Sequence, residues 1–251
     1  MFSWSTRRQL IYAFSAFAVL SVLFILPVFF LTYKAPSCSD GIQNQGEQGV
    51  DCGGPCPRLC ENQALDLIIH WQRAFKVQDG VYNALAYVEN PNLYSSIGSI
   101  SYRFKLYDSA NILIAERDGQ TSVPRNKIFG IFEGGINTGN RIPSRTLFEF
   151  LGTPAWQKDT RPIPPLIVSN EILTTDPLPS LSAVLENNGN DPVYNIEVVA
   201  ILYGASGNAV AVSKTLVDSV SGNGSAPLIF TWPEIFSEPA TRVEFTYRIL
   251  P

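Results

Sequence analysis

One stretch limits this chain more than any other. From Leu10 to Tyr33 (LIYAFSAFAVLSVLFILPVFFLTY) there is no charged residue and no Asn, Gln, His or Gly. As a helix these 24 residues extend about 36 Å, against a bilayer hydrocarbon core of about 30 Å. Pro27 lies inside the run, and a membrane-spanning helix tolerates proline better than a soluble one does. A helix buried in a soluble domain carries a polar stripe, and this run carries none. Three readings compete: an uncleaved signal-anchor, a cleaved secretory signal, and a lipoprotein signal ending at Cys38, which has small residues at Ala35 and Ser37 before it. Length favours the anchor, because the apolar region of a cleaved signal is usually only about 7–15 residues. Acylating Cys38 would leave an odd number of thiols.

Flanking charge sets the orientation. Arg7, Arg8 and the terminal amine precede the run, and only Lys34 follows it closely. Residues 1–9 are therefore expected in the cytoplasm and everything beyond Tyr33 outside it. All 22 acidic residues lie in that outer part with 16 of the 18 basic ones, a net charge of −6. Such a balance disfavours a nucleic-acid binder. Disorder is excluded by 45% hydrophobic against 16% charged residues.

All four cysteines fall in one short segment, CSDGIQNQGEQGVDCGGPCPRLC, at Cys38, Cys52, Cys56 and Cys60. The spacing lacks the paired knuckles of a zinc site. In an exported segment it predicts two disulfides, with three connectivities open. The segment is too short and polar to own a hydrophobic core, so covalent links must hold it. Asp40, Asn44, Glu47 and Asp51 sit among glycines on the loop. Four oxygen-bearing side chains suit Ca²⁺; the competing reading makes them turn caps on a solvated loop. The string Cys38-x-Asp40-Gly41-x-x-Asn44-x-x-Glu47-x-x-Val50-Asp51-Cys52-Gly53-Gly54-x-Cys56 resembles a short cysteine motif of exported and cell-surface proteins. The resemblance implies a disulfide-bonded extracellular module without enzymatic activity.

From about Leu65 onward the pattern is period-two alternation broken by turns. Tyr102, Phe104 and Leu106 alternate with Arg103, Lys105 and Tyr107, while Val243, Phe245, Tyr247 and Ile249 alternate with Arg242, Glu244, Thr246 and Arg248. These are half-buried antiparallel strands. Ile196–Leu202 is apolar on nearly both faces and reads as a central strand. The halves repeat: 86–90 matches 183–187, 104–108 matches 200–204, and 148–150 matches 243–245. Each repeat has the size of an immunoglobulin-like sandwich. Between them, Lys158–Pro165 carries three prolines and predicts a short semi-rigid spacer.

Phe104-x-Leu106-Tyr107-Asp108, preceded by Glu89-Asn90-Pro91-Asn92, resembles the FxLYD domain, a bacterial and archaeal immunoglobulin-like module named for that string. The resemblance covers roughly Leu65 to Leu151. The second repeat keeps the Leu-Tyr pair but has Ala200 and Gly204 at the flanking positions. The family implies fold and surface location and brings no catalytic residue.

Little else points to chemistry. His70 is the only histidine, so neither a triad nor a histidine-rich metal site can be assembled around it. Glu116, Arg117 and Asp118 read as a solvated cluster before a loop, Ile128–Ile136 as a core strand with a bulge, and Asn223-Gly224-Ser225 as a hairpin turn. The expectation is an all-β protein of two tandem immunoglobulin-like antiparallel sandwiches, preceded by a transmembrane helix and a small disulfide-rich module. The divisions are 1–9 cytoplasmic, 10–33 anchor, 34–62 disulfide module, 63–157 first sandwich, 158–165 linker and 166–251 second sandwich. Its expected work is binding or structural at the cell envelope, without catalysis. The expected partners are the membrane and a protein or envelope component. The rival is a surface enzyme or assembly factor with its site between the sandwiches.

Overall fold

The structure, a computed structural model, describes residues 3–32 and 35–250. Tyr33 at the expected end of the span, its flanking Lys34, the terminal amine and Pro251 lie outside the described residues. Two compact units are present, divided between Pro55 and Cys56.

The first unit holds helix α1, Trp4–Thr32, with Pro27 inside it. The helix begins six residues before Leu10 and so includes Arg7 and Arg8; the Arg8 guanidinium lies 4.1 Å from the centre of the Trp4 ring. It is long and apolar enough to cross a membrane, and its apolar side chains are exposed. The same unit contains most of the cysteine loop. All four cysteines of the chain are disulfide-bonded.

Apart from one turn of 3₁₀ helix at Glu61–Gln63, the regular structure of the second unit is antiparallel β. Its first half comprises β1 (Ile68–Gln78), β2 (Val81–Asn90), β3 (Ser95–Tyr107), β4 (Leu113–Val123), β5 (Lys127–Asn137), β6 (Arg145–Leu151) and β7 (Trp156–Lys158). One sheet runs β1-β2-β5 and the other β4-β3-β6, with β7 also on β3. Their inner faces enclose Ala84, Ala86, Val88, Phe104, Leu106, Phe129, Ile131 and Phe148. Pro57 and Leu59 bond to the β7 backbone, at 2.8 Å and 2.9 Å, so this end of the cysteine segment belongs with the sandwich.

The second half comprises β8 (Leu166–Thr174), β9 (Ser180–Asn187), β10 (Val193–Gly204), β11 (Ala209–Val220), β12 (Ser225–Thr231) and β13 (Ala240–Ile249). Its sheets run β8-β9-β12 and β11-β10-β13, around Leu181, Leu185, Ile196, Val198, Leu202, Leu228 and Phe230. Strand for strand this is the order of the first half. The register agrees as well: Ala86 faces Ile131 as Ala183 faces Leu228, and Phe104 faces Phe148 as Ala200 faces Phe245. The third sequence match is therefore displaced, because Phe148 corresponds to Phe245 and not to Val243. A slip of two residues keeps every side chain on its face, so alternation alone cannot detect it.

A buried asparagine repeats with the strands. Asn90 Nδ2 donates to the Ser95 and Pro124 carbonyls, both at 2.8 Å. Its counterpart Asn187 Nδ2 donates to the Asp191, Val220 and Ser221 carbonyls. Each Oδ1 accepts the amide two residues on. The Asp of the Phe-x-Leu-Tyr-Asp string caps the β3–β4 turn, where Asp108 Oδ1 accepts the amides of Ala110 and Ile112.

Two local expectations change. Glu116, Arg117 and Asp118 lie within β4 and not before a loop; Arg103 on β3 holds Asp118 at 2.6 Å. Asn223-Gly224-Ser225 joins β11 and β12, which belong to different sheets, so this turn is a corner and not a hairpin.

Candidate functional site

The site arises where the two sandwiches meet. The outward side chains of β1 and β2, Phe75 and Leu85, pack with Val199, Ile201 and Tyr203 of β10 and Val212 of β11, forming a third buried core. Trp71 and Tyr87 stack at its margin, with ring centres 5.3 Å apart. Gly130 on β5 lets the sheets approach: a Cβ there would lie 2.9 Å from a Leu85 methyl and 3.5 Å from Val199. Its amide donates to Thr246 Oγ1 at 3.1 Å. The IFGIFEGGI run is thus a strand, and its first glycine serves this contact.

Polar bonds surround the apolar contact. Glu197, 3% exposed, accepts from Arg248 at 2.6 Å and lies 3.2 Å from Lys214. Arg248 also donates to Thr121 Oγ1 on β4. Tyr87 OH bonds the Glu244 carboxylate across the junction, and Arg73 donates to the Ala209 carbonyl at 3.0 Å. Burial, with that bond second, raises the Tyr87 phenol above its ordinary range.

At one end of the junction the linker bounds a cavity of about 480 Å³. Its walls come from the start of β3, the β4–β5 turn, the linker and the last residues of β13. Lys127, at the first position of β5, projects its amine over Tyr247, 3.0 Å from the ring centre. Burial alone pulls the Lys127 amine down to about 7 and pushes the Tyr247 phenol up. Arg125 donates to the carbonyls of Leu93 (2.7 Å) and Arg161 (2.6 Å). Arg161 clasps Asp159 through two bonds of 3.0 and 2.8 Å, which holds that carboxyl at about 2.

These cavity residues were not singled out by sequence reasoning. Lys127 and Tyr247 lie on different repeats, and nothing in either local pattern signals that a shared cavity joins them. Ile196–Leu202 did carry a signal: a strand apolar on both faces needs two apolar neighbours, and β10 has its own core on one side and the first sandwich on the other.

The cysteine loop is held by its acidic side chains. Asp51 accepts the Gly41 amide on both oxygens, at 3.1 and 2.9 Å. Asp40 accepts from Asn44 Nδ2, Ser37 N and Ile42 N, and the Asn44 bond contributes most to keeping its carboxyl below the usual range. Glu47, buried, accepts the amides of Asn44 and Asp51. Asn44 Oδ1 is buried without a hydrogen-bond partner among the described residues. Gly54 is required here, since a Cβ would stand 2.2 Å from the Gly46 carbonyl oxygen. Of the four side chains offered as calcium ligands, Asp40, Glu47 and Asp51 accept backbone amides as turn caps, while Asn44 donates its Nδ2 to Asp40 and keeps its Oδ1 unengaged among the described residues. His70 lies on β1 and bonds Glu89 at 2.7 Å.

No protein-family model and no curated protein matches the sequence. Among solved structures, red sea bream transglutaminase aligns at 12% identity over 72% of this chain and 31% of its own, with a TM-score of 0.23. The chain thus spans about a third of that enzyme, and so low a score carries nothing about fold or activity.

Proposed function

We propose that this is a membrane-anchored, externally facing envelope protein that presents a rigid pair of β-sandwiches for a binding or structural task. The observation that carries the reading is the third core: Leu85, Val199 and Ile201 are buried between the sandwiches, so the outer region offers one stiff body and not two tethered ones. An apolar N-terminal helix and four disulfide-bonded cysteines accord with a chain that leaves the cytoplasm. The FxLYD resemblance of the first sandwich, and a partner among envelope proteins, belong to the same proposal.

The rival reading, an enzyme with its site between the sandwiches, draws on one observation, the desolvated Lys127 in the junction cavity. The carboxylate that lines the same cavity, Asp159, is committed to Arg161. Protease treatment of intact cells tests the main reading. A C-terminal tag should be removed from outside while an N-terminal tag survives; the reverse pattern overturns it.

A further inference from the structure

We infer that the cavity between the linker and the end of β13 binds a small organic acid, a molecule with one carboxylate and an apolar body. This goes beyond the anchoring proposal and does not depend on which side of a membrane the sandwiches occupy. Size comes first: about 480 Å³ lies in the range of small-molecule sites, roughly 300–1,000 Å³. It is too small to enclose a folded partner.

Charge selects the ligand. Arg125, Lys127, Arg161 and Arg248 line the cavity against one acidic residue, Asp159, in an outer region whose overall balance is acidic. Three of the four cations are already occupied. Arg161 holds Asp159, Arg248 holds Glu197, and Arg125 is spent on two carbonyls. Lys127 has neither an ion pair nor a hydrogen bond among the described residues; its amine meets the face of Tyr247. A cation taken out of water without a counter-ion is costly, and a ligand carboxylate supplies that counter-ion. The burial that brings the Lys127 amine to about 7 would then be opposed, and the ammonium would persist in the complex.

The remaining wall calls for an apolar body. Ile163 and Ile249, both exposed, line the space, and Pro162 and Pro164 bring no amide N–H to it. A small inorganic anion would leave that surface unused.

The test uses the full chain in lipid nanodiscs, with acetylation of each lysine at pH 7.5 followed by peptide mass spectrometry. The probes are 4-phenylbutyrate, 4-phenylbutan-1-ol and inorganic phosphate. Phenylbutyrate should slow acetylation of Lys127 about tenfold, the effect of one charge-assisted contact, and leave Lys76 and Lys105 unchanged. The alcohol and phosphate should protect far less. Lys127→Met should abolish phenylbutyrate binding measured by calorimetry. Ile163→Asp, which sets a competing carboxylate at the rim, should weaken it even if the first variant folds poorly. Absence of protection at millimolar phenylbutyrate overturns the inference. Equal protection by the alcohol overturns the role of charge, and equal protection by phosphate overturns the role of the apolar body.

Discussion

The central strands β3 and β10 occupy the same place in two copies of one fold, yet they turn opposite surfaces outward. On β3 the outward residues are Arg103 and Lys105, paired with Asp118 and Glu149 on neighbouring strands. At the matching positions β10 carries Val199 and Ile201, 2% and 0% exposed. The two copies share one frame, and the residues on one outward face decide whether it is a solvated sheet or an interface. The charged face of β3 does the reverse, keeping a further sheet from stacking there. β2 and β9 differ in the same sense: Leu85 and Tyr87 flank the junction, whereas their counterparts Ser182 and Val184 lie on a free face.

The comparison can be broken at its most costly point. Glu197 stands where the first sandwich has Ser101. Glu197→Ala leaves the Arg248 charge buried without its counter-ion and should cost about 3–5 kcal/mol in denaturant unfolding, while Ser101→Ala should be nearly silent. The repeated asparagine sharpens the likeness of the two copies. Asn90→Ala strands two carbonyls and Asn187→Ala three, so at about 1–3 kcal/mol per acceptor left bare both should be costly and the second the more so; a silent variant at either position would mean that only one copy depends on the clamp.

Lys127→Met should act in the opposite direction. The amine ionises near 10.5 when unfolded and at about 7 in the fold, so the unfolded chain holds the extra proton between those values and wild-type stability rises with pH across them. The titratable groups lining its cavity are Tyr247, Arg125, Arg161, Arg248 and Asp159, and the carboxylate among them is held by Arg161. The variant should therefore be more stable than wild type below pH 7, with the advantage fading by about pH 10.5. Thermal melts at pH 6, 8 and 10 measure this. The smallest effect is expected at the cysteine loop, where amides already occupy the carboxylates: a chelator should leave melting unchanged, and a shift of several degrees would restore calcium to Asp40, Asn44, Glu47 and Asp51.

Much of the architecture was legible because it is locally encoded. An uninterrupted apolar run, clustered cysteines and alternating strands each announce themselves within a few dozen residues. What was hidden is non-local. The prolines of Lys158–Pro165 suggested a spacer, and the segment does join the sandwiches, but their close packing is decided by Phe75, Leu85, Val199 and Ile201, which no linker composition reports. The two-residue slip at Phe148 escaped because strand periodicity is blind to it. Lys127 escaped because its cavity is assembled from a turn, the linker and a strand of the other repeat.

The central claim, that a third core fuses the sandwiches, is tested most directly by calorimetry of the full chain beside Ile201→Asp, which places a charge in that core without touching either sandwich interior. The wild type should unfold residues 65–250 in one cooperative transition and the variant in two. Two separated transitions in the wild type, or an unsplit and undiminished one in the variant, would contradict the account.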